Sequence, residues 1–400
     1  MNANKLITLA SLAGTLVLSQ RCVLAQELPP EPLKVEEIRC AGNQRTTCNF
    51  IRNHLYLHPG EALNEDEVRN AELRLSALRN FESVHIHLEK GSQHGKVALV
   101  IEVAEANPVA MEWLAGASAR LDLRNAVIGG RIADQNLFGA GKVLDFTAVG
   151  GIPVGGDGKF ESYEATLRYA DPHLFDSQRW FTIAKAGYHK RDFEDIYGNF
   201  QHLGTLQLDL DVGLRFGNFS YFTTGFSWRP NLEWTIGRWQ SDGTFEISSP
   251  DSYRTAVNLI YGWNTEDDLY FPTSGSSFQL ATGGDYGADS PNLQSHLQFR
   301  KTWHWADAYW TFKIGGAPSP DYRTSFDESQ LLALTYAHPL GGGDDVRRAR
   351  WYVEPGFGGA GLDPQGRQIY ELGLKIGYRA DTRTFGVVNF YLIGSVDPNR

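Results

Sequence analysis

The sequence predicts two folds in series: a small α+β module of order βααββ over residues 34–106, and an all-β transmembrane barrel of about fourteen strands over residues 107–400. Three observations predict it. Beyond the N-terminal leader, no run approaches the roughly 18 apolar residues that a spanning helix needs. From about Met111 onward the chain breaks into stretches of period-two alternation separated by Gly, Asp, Asn and Pro. Between residues 34 and 106 the apolar spacing switches from strand to helix and back. A chain of this kind enters a membrane only as a closed barrel, because an open strand edge has no partners in hydrocarbon.

The leader comes first. Lys5, the apolar run Leu6 to Leu18 and Val23-Leu24-Ala25 have the build of a cleavable secretory signal over residues 1–25, with the mature chain starting near Gln26. Cys22 invites a lipoprotein reading, but Ser19-Gln20-Arg21 is not the small apolar set that such a site wants. Residues 26–33 are a Pro-rich link.

In the module, Val35 to Cys40 reads as a strand, and Gly42-Asn43 turns the chain into a helix carrying Phe50, Ile51 and Leu55 on one side. The second helix starts at Asn64, a capping residue, with Glu67 placed to reach back and Leu63 to staple onto Val68. Val68, Ala71, Leu75 and Leu78 form its buried stripe. Two strands follow, carrying Val84, Ile86 and Leu88, then Val97, Leu99, Ile101 and Val103, joined by a turn over Gly91–Gly95. Cys40 and Cys48 leave two readings open in an exported chain, a disulfide or two small buried thiols.

The strongest barrel strand alternates Leu206, Leu208, Leu210, Val212, Leu214 and Phe216 with Gln207, Asp209, Asp211, Gly213 and Arg215, which suits a lipid-facing wall over a polar lumen. A long half-buried strand of a soluble sandwich is the competing reading. Candidate strands start near residues 111, 125, 142, 161, 179, 202, 219, 256, 276, 292, 308, 329, 350, 368 and 384. Bacterial single-chain barrels are even-stranded, so at least one of these fifteen starts is expected to be wrong; with the module and the chain end both on the periplasmic side, fourteen is the central expectation, within a range of roughly 12 to 16. Trp303, Trp305, Trp310, Trp228, Trp234 and Trp239 fit an interfacial girdle, or core packing if the fold is soluble.

The stretch "NLFGAGKVLDF" is not a P-loop: Asn136 and Val143 stand where the motif needs Gly and a hydroxyl. It reads instead as a tight turn, with Asn136, Leu137, Phe138, Gly139 and Gly141, feeding a strand.

"VEEIRCAGNQRTTCNFIRNHLYLHPGEAL", "RLSALRNFESVHIHLEKG" and "VALVIEVAEAN" together resemble a POTRA domain of the BamA- and TamA-like outer-membrane assembly factors. "ADQNLFGAGKVLDFTAVGG" resembles that family's periplasmic turn between the second and third barrel strands, and "NTEDDLYFPTSGSSFQLATGGDYG" resembles its Asp-x-x-x-Phe-Pro-Thr-x-Gly segment. The resemblance implies an outer-membrane protein of a Gram-negative bacterium with a periplasmic N-terminal domain, which assists insertion or translocation of polypeptides and meets unfolded clients through that domain. The departures also matter. "APSPDYRTSFDE" lacks the family's Arg-bearing loop motif, and the wall carboxylates that would hold that Arg fall at Thr335 and Gly359. The chain ends "FYLIGSVDPNR" instead of in an aromatic-terminated strand. Two alternatives therefore stay open: an oligomeric structural or lipid-organising barrel, in which an unpaired edge meets another copy, and a passive pore.

A formal charge of −10 makes nucleic acid a poor partner. His85 and His87, with His94 nearby, could bind a metal but sit on a polar strand face, where solvated histidines are the simpler reading. No catalytic constellation stands out, and no catalytic residue, metal or cofactor is implied.

Overall fold

The computed structural model describes residues 32–400 apart from 79, 121–122, 155–158, 195–197, 241, 250–252, 269, 287–291, 316–329, 342–345, 363–367 and 397–400. The leader, Cys22, most of the Pro-rich link and "APSPDYRTSFDE" lie outside the described residues.

The module is built of β1 (Lys34–Ala41), α1 (Cys48–Arg52), α2 (Glu65–Ser76), β2 (Phe81–Lys90) and β3 (Lys96–Glu105). Its sheet runs β1-β3-β2, with β1 parallel and β2 antiparallel to the central strand. Thr47 caps α1, and the Asn64 carboxamide accepts the N–H groups of Asp66 and Glu67 at 3.0 and 3.2 Å. The reciprocal half of the capping box does not form. Glu67 turns inward instead, to accept from the Tyr56 N–H at 2.9 Å and pair with Arg74, because a buried carboxylate needs a cation more than the helix end needs a second cap. Val35, Phe50, Ile51, Leu55, Ala71, Leu75, Leu99 and Ile101 form the core, whereas Leu88 lies exposed near the end of its hairpin. Cys40 and Cys48 are joined in a disulfide with Cα atoms 5.7 Å apart, which ties the end of β1 to the start of α1.

The barrel follows as β4 (Val109–Arg120), β5 (Leu123–Leu137), β6 (Lys142–Pro153), β7 (Lys159–Asp171), β8 (Trp180–Glu194), β9 (Phe200–Phe216), β10 (Ser220–Trp239), β11 (Phe245–Ser248), β12 (Tyr253–Asn264), β13 (Gly275–Tyr286), β14 (Asn292–Trp305), β15 (Ala308–Gly315), β16 (Gln330–Leu340), β17 (Val346–Leu362), β18 (Gln368–Thr382) and β19 (Gly386–Val396). The short β11 only extends the far end of β10, so fifteen strands form the wall, each antiparallel to the next. The ring then closes on a parallel pair. β19 lies beside β4 in the same direction, with partners running from Val387 and Ala110 to Val396 and Ala119.

All fifteen candidate starts coincide with observed strands to within four residues. Fifteen lies within the expected range of roughly 12 to 16 and close to the central fourteen. The even-number argument does not apply to this ring, because a parallel ladder can also join first and last strands, and β19 accordingly runs away from the module end as β4 does. The barrel wall closes within one chain, so among the described residues its first and last strands need no second copy as a partner.

Side-chain placement inverts that of a water-soluble protein. Leu208, Leu210, Phe222, Phe226, Val257, Leu259, Leu372, Leu374 and Ile376 face outward and are exposed, whereas Asp145, Gln207, Thr223, Ser227, Thr302, Glu354 and Lys375 are buried facing inward. Trp303, Trp305, Trp310, Tyr336 and Trp351 cluster near the barrel end that carries the module, with successive rings 5.0–6.0 Å apart where they touch. At the opposite end β10 overshoots. Its 20 residues span about 65 Å at ~3.3 Å each, against an apolar band of about 25 Å, so with β9 and β11 it stands beyond the barrel as a flap.

Candidate functional site: the docked module and the closing seam

Two turns at the module end hold the module against the barrel. In the first, Asp134 accepts the Asn136 N–H at 2.8 Å, and the Asn136 carboxamide accepts the Gly141 N–H at 2.9 Å while donating to the Thr46 hydroxyl at 2.9 Å. The Thr47 N–H donates to the Gly139 carbonyl at 2.8 Å. Phe138, Gly139 and Gly141 all have positive φ, and a Cβ on either glycine would overlap the module: the Arg45 carbonyl oxygen would lie 2.0 Å from it at Gly139, and the Phe50 ring 1.9 Å away at Gly141. The turn found in the sequence is therefore also the seat of the module, with glycine where the two surfaces come closest.

The second turn, between β7 and β8, repeats the device. Asp171 accepts the His173 N–H at 3.0 Å, Gln178 donates to the Leu55 carbonyl at 2.8 Å, and Asn49 donates to Asp176 at 3.2 Å. His173 Nε2 meets His54 Nδ1 at 3.4 Å, with Phe50 edge-on to both rings. Burial pushes both imidazoles toward the neutral form, His54 well below its ordinary range and His173 to about 4, and the neighbouring Arg215 acts in the same direction. Within the module, Glu105 fixes the loop that meets the first turn by accepting the N–H groups of Arg45 and Thr46 at 2.9 and 2.6 Å. Burial alone would raise its pKa, but these hydrogen bonds hold it below the ordinary carboxylate range.

The seam carries an outward groove of 690 Å³ lined by Trp113, Ile128, Ile376, Tyr378, Phe390 and Leu392, with the small residues Ala115, Gly129 and Gly377 leaving the space. On the lumen side Arg131 of β5 links Asp145 of β6 at 2.7 Å to Glu112 of β4 at 3.5 Å. His85 and His87 stack on the module surface 5.8 Å apart, and among the described residues no group of three metal-binding side chains forms.

Residues 136–379, more than half of the chain, match the family model of the Omp85 superfamily domain. The chain belongs to the Omp85 superfamily. Residues 33–106 match POTRA, described as a surface antigen variable number repeat. The outer membrane protein assembly factor BamA of Nitratidesulfovibrio vulgaris is 22% identical over 271 residues, covering 66% of this chain and 32% of its own, so this chain spans about a third of that relative. Among solved structures, CdiB from Acinetobacter baumannii superposes with a TM-score of 0.53 at 11% identity over 87% of this chain and 68% of its own. CdiB from Escherichia coli gives 0.52 at 12% over 88% and 70%. These likenesses concern the fold.

This Omp85 barrel does carry a wall carboxylate, at a position that no sequence motif marks. Thr335 and Gly359 are neutral, but Glu354, five residues before Gly359, points into the lumen, accepts from Lys313 at 2.7 Å and from the Thr335 hydroxyl, and has Lys375 nearby. Its partners come from neighbouring strands, β15, β16 and β18, so the charge is balanced within the wall. Glu354→Ala is expected to leave two lysines facing each other. The cost should be about 2 kcal/mol, below the ~3–5 kcal/mol of a fully dry pair because the Lys313 head reaches water. A lower temperature for the heat-induced mobility shift on semi-native electrophoresis would show it, with Glu354→Gln intermediate.

Proposed function

We propose that this Omp85 protein assists the insertion or translocation of polypeptides at the outer membrane of a Gram-negative cell. In this reading the module lies in the periplasm, and the outward apolar positions meet acyl chains. No enzyme chemistry and no cofactor enters. The observation that carries the reading is the parallel seam. Parallel pairing is slightly weaker per residue than antiparallel, and a single strand running opposite to both β4 and β19 would replace one parallel ladder by two antiparallel ones. The barrel is therefore one strand short of an all-antiparallel wall, at a place flanked by an outward groove. Below it, β2 has β3 on one side only, which leaves an edge where an extended client can be held by backbone hydrogen bonds before transfer.

Ala115 and Leu392 are register partners across the seam and both face outward. A disulfide between Ala115→Cys and Leu392→Cys is expected to abolish folding of an unfolded outer-membrane barrel client into proteoliposomes, with recovery on reduction. Equal client folding in the oxidised and reduced protein would remove the seam from the mechanism.

A further inference from the structure

The β12–β13 turn lies at the same barrel end as the two docking turns. It folds into the lumen: Phe271 is 0% exposed and Tyr270 is buried with it. The sequence builds this turn with its own carboxylates and amide. The Asn264 carboxamide accepts the Glu266 N–H at 2.9 Å, Asp267 accepts the Thr273 N–H at 2.8 Å, and Asp268 accepts the N–H groups of Tyr270 and Phe271, each at 2.8 Å.

The wall then grips it from several strands. Arg350 of β17 donates to the carbonyls of Pro272 at 2.8 Å and Phe271 at 3.2 Å, and Arg379 of β18 donates to the Tyr270 carbonyl. Arg348 pairs with Asp268 at 2.7 Å, and Arg300 of β14 with Glu266. The guanidinium groups of Arg348 and Arg350 lie 4.8 and 5.4 Å from the centre of the Phe271 ring. Gln135 of β5 donates to the Tyr270 hydroxyl at 3.2 Å.

What the tip touches is specific. Tyr270 and Phe271 form one buried apolar cluster with Ala110 of β4, Ala133 of β5 and Val387 of β19. Ala110 and Val387 are the first register pair of the parallel seam. Counting around the ring, β12 and β13 stand seven or eight strands from β4, so the turn crosses from the opposite side of the barrel to reach that pair.

We infer that this turn is a latch: it holds the module end of the β19–β4 seam shut from inside, through Phe271 and Tyr270 on the first seam pair and the arginines that fix the turn to β17 and β18. The latch acts on the one parallel ladder of the wall, at its module end. It goes beyond the proposed function, since a seam can be latched whatever passes through it.

Hydrogen exchange of the full chain in nanodiscs, followed by mass spectrometry, tests this inference. Phe271→Ala is expected to speed amide exchange in 109–120 and 386–396 at least tenfold and to leave β8 and β9, which the turn does not touch, at the unmodified rate. Asp268→Asn, which keeps the apolar tip and weakens the Arg348 contact, should give a smaller effect in the same two segments, and it decides the matter should Phe271→Ala not fold. Seam exchange within twofold of the unmodified protein overturns the latch, and so does equal acceleration of every strand, which would mean general loosening. No client is present, so failure here is separable from failure of the client-folding assay.

Discussion

Gly141→Leu is expected to release the N-terminal module while leaving the barrel closed. At φ +63° a non-glycine residue carries about 1 kcal/mol of backbone strain. Its Cβ would also lie 1.9 Å from the Phe50 ring, so either the ring or the turn must move. Phe50 cannot yield cheaply, because it belongs to the module core with Ile51, Leu55 and Leu75, and overpacking such a site costs about 1–3 kcal/mol. Against this stand, among the described residues, five hydrogen bonds across the docking surface, from Thr47, Asn136, Gln178, Asn49 and His54, each worth about 1 kcal/mol net. The strain takes up a large part of that hold. Spin labels at the exposed residues His94 of the module and Asn218 of the β9–β10 turn should give one narrow distance distribution in the unmodified protein and a broad one in Gly141→Leu. The heat-induced mobility shift of the barrel should be unchanged. A narrow, unmoved distribution would mean that the close approach at Gly141 does not hold the module.

The same turn shows where the sequence is legible and where it is not. Asn136, Gly139 and Gly141 announce a tight turn because the need for positive φ is local, and local needs leave local marks. That the turn is also a docking surface depends on Arg45 and Phe50, some ninety residues earlier, and no spacing rule connects them. The strands follow the same division. Alternation such as Leu208, Leu210, Phe222 and Phe226 located every wall strand, since each records its own two faces. How the last strand meets the first is a property of the whole ring, and a parity rule borrowed from other barrels pointed to fourteen. Glu354 is not legible for a related reason. Its role is set by Lys313 and Thr335 across two strand boundaries, and within its own strand it is one polar residue among many. Tyr270 and Phe271 sit in a segment recognised by its motif, yet nothing in that motif states that the turn points inward.

Lowering the pH from 7.5 toward 4 is expected to undock the module through His54 and His173. Each Nδ1 faces a carbonyl, Phe50 O at 3.0 Å for His54 and Ser177 O at 3.1 Å for His173, which assigns both rings as neutral Nδ1–H tautomers. His173 Nε2 is then an acceptor turned toward His54 Nδ1–H, and a proton added there would sit against another proton, with Arg215 of β9 and Arg74 of α2 nearby and only Asp171 and Asp176 to offset it. The sign follows from linkage. Both pKa values are depressed in the docked state, so between about 4 and ~6.5 the undocked state binds more protons; docking stability is full above ~6.5 and falls as the pH drops through that window. For His173 alone, the fall from the ordinary 6.5 to about 4 corresponds to about 3 kcal/mol, a large part of the hydrogen-bonded hold, and His54 adds to it. Glu105 does not confound the window, because its hydrogen bonds keep it ionised to lower pH than an ordinary glutamate. The His94 to Asn218 distance distribution should broaden reversibly between pH 6.5 and 4 in the unmodified protein, and the midpoint should move to lower pH in His173→Leu. A distribution that stays narrow down to pH 4 would show that the two rings do not govern docking.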